Sequence, residues 1–139
     1  MYVAKNSSHD FTISQTLAIG DPVMIYNANN LSAVDLSDFT QYLTTLYINQ
    51  AVGNTGESNL KKLILADGTT TNSVFTEIGG LSAITSLEEI DIRKFSGVTN
   101  MELGSLTNLH VLKATDSGLT SFAPAVGVSL TNVILPSSI

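Results

Sequence analysis

The sequence predicts an α/β solenoid, in which short parallel strands stack on one side and turns with short helices lie on the other. Three observations support this prediction. An apolar triplet with fixed spacing occurs six times between residues 31 and 135. The length of 139 residues is that of one domain. Hydrophobic residues make up 43% of the chain, which is enough to form a folded core.

In each triplet the second apolar residue follows the first by three positions, and the third follows the second by two. The two-residue step is the spacing of side chains on one face of a strand, and the first member lies on the turn that leads in. The pattern therefore predicts about six coils that share one buried face. The six triplets are Leu31, Val34 and Leu36; Leu43, Leu46 and Ile48; Leu60, Leu63 and Leu65; Leu87, Ile90 and Ile92; Leu109, Leu112 and Ala114; and Leu130, Val133 and Leu135.

The first thirty residues lack the triplet. Gly20, Asp21 and Pro22 precede the apolar run Val23-Met24-Ile25-Tyr26, which is typical of a short buried strand. We interpret residues 1–30 as an N-terminal cap or leader segment and residues 31–139 as the solenoid. The alternative is that residues 1–30 are the tail of a preceding domain.

The triplets are unevenly spaced along the chain. The first members of successive triplets are 12, 17, 27, 22 and 21 residues apart. The first two intervals leave no room for a helix outside the strands, so they predict tight turns. The third coil contains residues 67–86, a segment that is long enough to leave the strands and return. One or two helical turns, interrupted at Gly79-Gly80, are predicted there from the near-helical spacing of Val74, Phe75, Ile78, Leu81 and Ile84.

The stretch Leu106 to Leu119, LTNLHVLKATDSGL, resembles the leucine-rich-repeat phrase L-x-x-L-x-L-x-x-N-x-L. Ala114 occupies its sixth position and Ser117 occupies its asparagine position. No triplet is followed by Asn at position nine, so the chain resembles an irregular member of that family. Coils two to six have Ala51, Gly68, Phe95, Ser117 and Ser138 there.

The ending SLTNVILPSS and the abundance of Ser, Thr, Asn and Gly resemble repeat segments of bacterial surface proteins and of tailed-phage structural proteins. This resemblance implies a non-catalytic protein-interaction or structural module within a larger assembly. It favours a virion or the cell surface over the cytoplasm. The alternative is a carbohydrate- or receptor-binding adhesin module, for which Tyr47 would be the one obvious outward aromatic side chain.

If the triplets point inward, the residues between them point outward, and equal positions of neighbouring coils lie side by side. This predicts cross-strand pairs of Lys61 with Glu88, Lys62 with Glu89, and Asp91 with Lys113. Charges that pair with one another in this way are less available to bind a charged ligand. The predicted binding face on the exposed side of the strands consists of Tyr47, Lys62, Ile64, Glu89, Asp91, His110 and Lys113.

Charge and composition argue against several classes of partner. The net charge of −6 disfavours nucleic acid and anionic membrane surfaces, both of which select for Lys and Arg. No window approaches the roughly 18 apolar residues that span a bilayer, so we expect no membrane insertion. The chain has no cysteine, which excludes disulfides and thiolate metal ligands.

The sequence predicts no enzyme, no cofactor and no metal site. His9 and His110 lack the neighbouring ligands of a zinc motif. Glu88 and Glu89 are adjacent on a strand, which does not favour a shared-proton pair. The spacing of the aspartates does not match a calcium loop, and no phosphate-binding glycine motif is present.

The last triplet is followed by only four residues. A terminal coil of a solenoid needs a cover for its apolar residues. The sequence therefore predicts that the native molecule continues, that it self-associates through the solenoid end, or that a protein partner covers this end.

Overall fold

The computed structural model describes residues 2–4, 23–26, 31–49 and 60–139. In these residues the chain is an α/β fold of parallel strands with few helical segments. The helical segments are 3₁₀ helices at Ser37–Tyr42 and Leu81–Ala83. The strands are β1 (Tyr2–Ala4), β2 (Val23–Tyr26), β3 (Ala33–Asp35), β4 (Leu46–Asn49), β5 (Lys62–Ile64), β6 (Ile78–Gly79), β7 (Glu89–Asp91), β8 (Val111–Lys113) and β9 (Asn132–Ile134).

The strands form two sheets. The minor sheet has the order β1-β2-β4-β6, and the major sheet has the order β3-β5-β7-β8-β9. Every pairing between these strands is parallel. Strand order follows chain order in both sheets. From β2 to β7 successive strands alternate between the two sheets, whereas β7, β8 and β9 all belong to the major sheet.

The central residues of the major-sheet strands lie side by side in one register. Val34 pairs with Leu63, Leu63 with Ile90, Ile90 with Leu112, and Leu112 with Val133. The first four are fully buried. Five of the six predicted triplets therefore place their central residue on one sheet, as the two-residue step of the pattern predicts.

The second triplet is the exception. Leu46 and Ile48 lie on β4, which pairs with β2 and β6 in the minor sheet. The first two short intervals are therefore not two coils with tight turns. Between β3 and β5 the described residues form a 3₁₀ helix and then β4, which belongs to the minor sheet. Apolar residues two positions apart predict a strand, but they do not specify which sheet that strand joins.

The long third interval also differs from its prediction. Ile78 lies on β6 and not on a helix, and a single 3₁₀ turn follows at Leu81–Ala83. Gly80 precedes that turn with a φ of +83°, and a Cβ there would collide with the carbonyl oxygen of Ile48. The glycine thus allows the chain to turn against β4. Of the predicted helical turns, only this one is present.

Side chains of both sheets and of the connecting segments form one apolar core. Phe75 and Phe95 meet there edge to face, with ring centroids 5.3 Å apart and an angle of 89° between the planes. Both phenylalanines are fully buried. Aromatic pairs prefer this geometry because the positive edge of one ring faces the negative face of the other.

A buried asparagine that the repeat pattern did not identify connects this core to the chain before β5. The Nδ2 of Asn72 donates to the carbonyl oxygens of Thr40 and Leu43, each at 2.7 Å. Its Oδ1 accepts hydrogen bonds from the backbone N–H groups of Val74 and Phe75. Both the NH₂ group and the carbonyl oxygen of the Asn72 side chain therefore have hydrogen-bond partners.

Candidate functional site

The predicted binding face lies on three neighbouring strands of the major sheet, with one exception. Lys62 and Ile64 lie on β5, Glu89 and Asp91 on β7, and Lys113 on β8. His110 immediately precedes β8. The register aligns Lys62 with Glu89 and aligns Ile64 with Asp91 and Lys113. We refer to these six residues as the ladder face.

Glu89 lies at the centre of the ladder face and is shared by two lysines. Its Oε1 accepts a hydrogen bond from Lys113 Nζ at 2.8 Å, and its Oε2 is 3.8 Å from Lys62 Nζ. The predicted pairing of Lys62 with Glu89 is therefore confirmed. Lys113 is next to Asp91 in the register, as predicted, but its ammonium group pairs with Glu89 instead. The carboxylate thus joins β5, β7 and β8.

A second pairing lies one residue before the strands. Lys61 forms an ion pair and a hydrogen bond with Glu88, as predicted. This hydrogen bond is the main reason that the pKa of Glu88 is below its ordinary value. Nε2 of His110 is 3.9 Å from the other oxygen of Glu88, while Nδ1 lies 2.9 Å from the carbonyl oxygen of Asn108. A proton on Nδ1 would donate to that carbonyl.

Asp91 is not available as a surface ligand. It is 2% exposed, which corrects the prediction that it is an outward-facing binding residue. Arg93 covers it: Nε lies 2.9 Å from Oδ1, and Nη2 lies 2.7 Å from Oδ2. The hydrogen bonds to Asp91 raise the pKa of Arg93. Sequence reasoning missed Arg93, although its position two residues after Asp91 on the same side of the chain was a usable signal.

Tyr47 does not belong to the ladder face. It lies on β4 in the minor sheet, where its register partner is Gly79 of β6. A Cβ at Gly79 would collide with the ring, so the ring lies directly over the glycine. Tyr47 is 43% exposed. The prediction that it continues the strip through Lys62, Glu89 and His110 is therefore wrong, because β4 belongs to the other sheet.

A groove of about 410 Å³ lies beside β6, between residues 76–81 and residues 99–102. None of the predicted binding residues lines it. Glu77 and Glu102 are on its walls. No group of three His, Cys, Asp or Glu side chains suited to a metal ion occurs in the described part of the chain. Nor does a helix long and apolar enough to cross a membrane occur there.

The chemistry of the ladder face is dominated by internal pairing. Glu89 pairs with Lys62 and Lys113, and Asp91 pairs with Arg93 just after β7, so the charges neutralise one another at short range. Beyond the ladder face, β9 contains no charged residue, and its Ile134 is 44% exposed. A cross-linked charged face therefore borders an uncharged strand.

Comparison of the chain with protein-family models, with curated proteins and with solved structures finds no match.

Proposed function

We propose that the chain is a non-catalytic protein-interaction or structural module within a larger assembly, such as a phage virion or a bacterial cell-surface structure. The observation that carries this proposal is the pairing of the carboxylates on and beside the ladder face. Glu88, Glu89 and Asp91 each bind a Lys or Arg side chain. A general acid or base needs a pKa near the working pH, whereas the pKa of Glu88 is lowered. These charges are suited to joining strands.

The proposed architecture is an irregular leucine-rich-repeat-like solenoid. Two observations support it. The aligned residues Val34, Leu63, Ile90, Leu112 and Val133 are 29, 27, 22 and 21 residues apart, which are all intervals within the family range of about 20–29. The short intervals of the triplet pattern arise because the second triplet lies on the minor sheet.

The second observation concerns the asparagine position of the repeat. In the third coil, position nine is Gly68, and Asn72 lies four residues further along the chain. Asn72 forms a bridge with Phe95, which occupies position nine of the next coil. Its bonds to the backbone of a neighbouring segment are those expected of the repeat asparagine. Stacked repeats of this kind present extended surfaces to other proteins.

Native size fractionation tests the assembly. An extract of the source organism would be separated under native conditions and probed with an antibody raised against the whole chain. We expect the chain in particles many times heavier than its own 14.7 kDa, together with virion or envelope components. Recombinant chain added to an extract that lacks the gene is the control for non-specific capture. Recovery of the native chain only as free monomer or dimer would contradict the proposal.

A carbohydrate-binding adhesin module is the second candidate, because the exposed ring of Tyr47 lies against the backbone of Gly79. A flat exposed ring can stack on the apolar face of a sugar. Glycan-array binding that is lost in Tyr47→Ala and kept in Tyr47→Phe would favour this candidate. Equal signals for all three proteins, or no signal, would remove it.

A further inference from the structure

The backbone hydrogen bonds of the major sheet follow one rule at the entry to each strand. The carbonyl oxygen of the residue before a strand accepts two consecutive N–H groups from the next strand. The rule is observed four times: Lys61 and Lys62 donate to Ser32 O, Glu88 and Glu89 to Lys61 O, His110 and Val111 to Glu88 O, and Thr131 and Asn132 to His110 O. The next acceptor in this series is Thr131 O.

A matching rule holds where each strand ends. The residue after the strand donates its N–H to the last residue of the next strand, as Leu36 does to Ile64, Leu65 to Asp91, Ile92 to Lys113 and Ala114 to Ile134. The next donor in this series is the N–H of Leu135. Among the described residues, no backbone group reaches Thr131 O or the N–H of Leu135.

The residue between these two groups completes the free edge. The N–H of Asn132 and the carbonyl of Ile134 both point to β8, since they bond to His110 and Ala114. Backbone groups alternate sides along a strand, so the N–H and C=O of Val133 point away from β8. β9 is the last strand of the major sheet. Its free edge therefore offers one acceptor at Thr131, both groups at Val133 and one donor at Leu135.

The apolar side chains at this edge are only partly covered. Leu130, Val133 and Leu135 are half-buried, and so are Phe122 and Val128 behind them. At the opposite end of the major sheet the equivalent residues are completely buried, namely Leu31, Val34 and Leu36. The two ends of the sheet thus differ, and only the β9 end has core side chains to bury further.

The β9 end is also uncharged. Residues 117–139 contain no Asp, Glu, Lys, Arg or His, although the whole chain has 12 acidic and 6 basic residues. Edge strands of monomeric proteins are usually protected by a charged side chain, often Lys. Two copies of a chain with net charge −6 repel one another except where such a neutral surface lets them approach.

We propose that the β9 end binds the β9 end of a second copy, with the two β9 strands antiparallel about a two-fold axis at Val133. In an antiparallel pair, directly opposite residues exchange both hydrogen bonds at alternate positions. Val133 then exchanges two bonds with the partner's Val133. Thr131 O accepts from the partner's Leu135, and Leu135 donates to the partner's Thr131. Four hydrogen bonds use every free group of both edges.

The order of backbone groups on this edge selects a second copy. Along the edge the free groups are the acceptor of Thr131, the donor and acceptor of Val133, and the donor of Leu135. When a second copy of this edge runs in the opposite direction, each donor meets an acceptor, as a two-fold interface requires. Pro136 follows Leu135 and has no N–H, so the series ends there. A two-fold contact uses the same edge of both copies, so it closes as a dimer and does not extend into a fibre. The inference rests on the proposed function, for which it supplies a self-association surface.

Sedimentation equilibrium of the purified whole chain over a concentration range tests the stoichiometry. We expect twice the monomer mass at high micromolar concentration. Thr131→Lys places a charge at the edge and should lower the association constant at least tenfold. Thr131 is exposed, so this variant is expected to fold. Val74→Lys introduces the same charge at an exposed position outside β9 and should remain dimeric.

Cysteine cross-linking tests the strand direction, because the natural chain has no cysteine. In the proposed pairing Asn132 is opposite the partner's Ile134, at a Cα separation of about 4.5 Å, which a disulfide can span. Asn132 is diagonal to the partner's Asn132, at about 7–8 Å, which is too far. An oxidised mixture of Asn132→Cys and Ile134→Cys chains should therefore form disulfide dimers, whereas each variant alone should not.

A wild-type monomer at high micromolar concentration would overturn the proposal, as would larger polymers. Equal cross-linking in the mixture and in the single variants would also overturn it. These results concern the purified chain only. If the purified chain is a monomer but the native chain is recovered in heavy particles, the dimer is rejected and the proposed function stands.

Discussion

Arg93 holds the carboxylate of Asp91 through a two-pronged hydrogen-bonded ion pair. The Nε group lies within 3.1 Å of both carboxylate oxygens, and Nη2 lies 2.7 Å from Oδ2. Asp91 is buried beneath this contact, while the Arg93 side chain is 38% exposed. The guanidinium group also lies against Gly68, where a Cβ would be 2.9 Å from Nη1. One side chain therefore pairs a buried charge and covers the turn after β5.

Arg93→Ala should lower the free energy of unfolding by about 2 kcal/mol. A buried charge that loses its partner costs about 3–5 kcal/mol, and we reduce this value because Arg93 is partly exposed. Urea unfolding at neutral pH measures the difference. Arg93→Lys keeps the charge but loses the fork geometry, so it should give an intermediate value.

The double variant Arg93→Ala with Asp91→Asn is the control for the unpaired charge. It removes the buried anion, so it should be more stable than Arg93→Ala alone. A double variant no more stable than the single one would show that packing of the arginine side chain, and not its charge, accounts for the loss.

Asn72→Ala should be among the most destabilising single changes in the chain. It leaves the buried carbonyls of Thr40 and Leu43 and the N–H groups of Val74 and Phe75 without their partner. Each unsatisfied buried group costs about 1–3 kcal/mol. Allowing for relaxation of the nearby turn, we expect a loss of about 3 kcal/mol in urea unfolding.

Asn100→Ala is the matched control, because Asn100 is exposed. It should change the free energy of unfolding by less than about 0.5 kcal/mol. Similar losses for the two variants would mean that the hydrogen bonds of Asn72 contribute little to stability.

The apolar spacing was sufficient to predict the register of the major sheet. Leu63, Ile90 and Leu112 are aligned as the triplets require, because a two-residue step fixes which side chains share a strand face. The same register predicted that Lys62 lies beside Glu89. Both features follow from the local two-residue spacing and from the alignment of equal positions in neighbouring parallel strands.

The features that the sequence did not predict depend on distant contacts. Leu46 has the spacing of the other triplets, yet β4 joins the minor sheet because β2, outside the triplet pattern, is its neighbour. Asn72 was missed because it lies four residues after Gly68, the residue at position nine of its triplet. The burial of Asp91 depends on Arg93, whose side chain folds back over the strand. Spacing alone does not specify sheet membership, insertions or side-chain direction.

Glu89→Gln should destabilise the chain only slightly. It removes the carboxylate that pairs with Lys113 and lies near Lys62, but both lysines are partly exposed and can be solvated. Pairs of this kind contribute about 0.2–1 kcal/mol and weaken as salt is added. We expect a loss in that range at low salt and a smaller loss in 1 M sodium chloride, measured by urea unfolding. Glu102→Gln, which changes an exposed carboxylate of the same type, should show neither effect.

Asp67 should make the stability of the chain depend on acid pH. The side-chain hydroxyl and the N–H of Thr70, together with the N–H of Thr69, donate to its carboxylate and hold its pKa well below the ordinary value. Because the pKa is lower in the folded state than in the unfolded state, the stabilisation is fully present above the unfolded pKa. It is lost as the pH falls below about 4 toward the folded pKa.

Asp67→Asn removes the titrating group and should flatten the fall in stability between pH 5 and about pH 2, with a lower plateau at neutral pH. Urea unfolding at several pH values measures this slope. Glu102→Gln is again the control, because it removes an exposed carboxyl that accepts none of the described hydrogen bonds. If wild-type and Asp67→Asn chains lose stability with the same slope, the Asp67 turn does not contribute to acid unfolding, and the hydrogen bonds from Thr69 and Thr70 do not hold the carboxylate in solution.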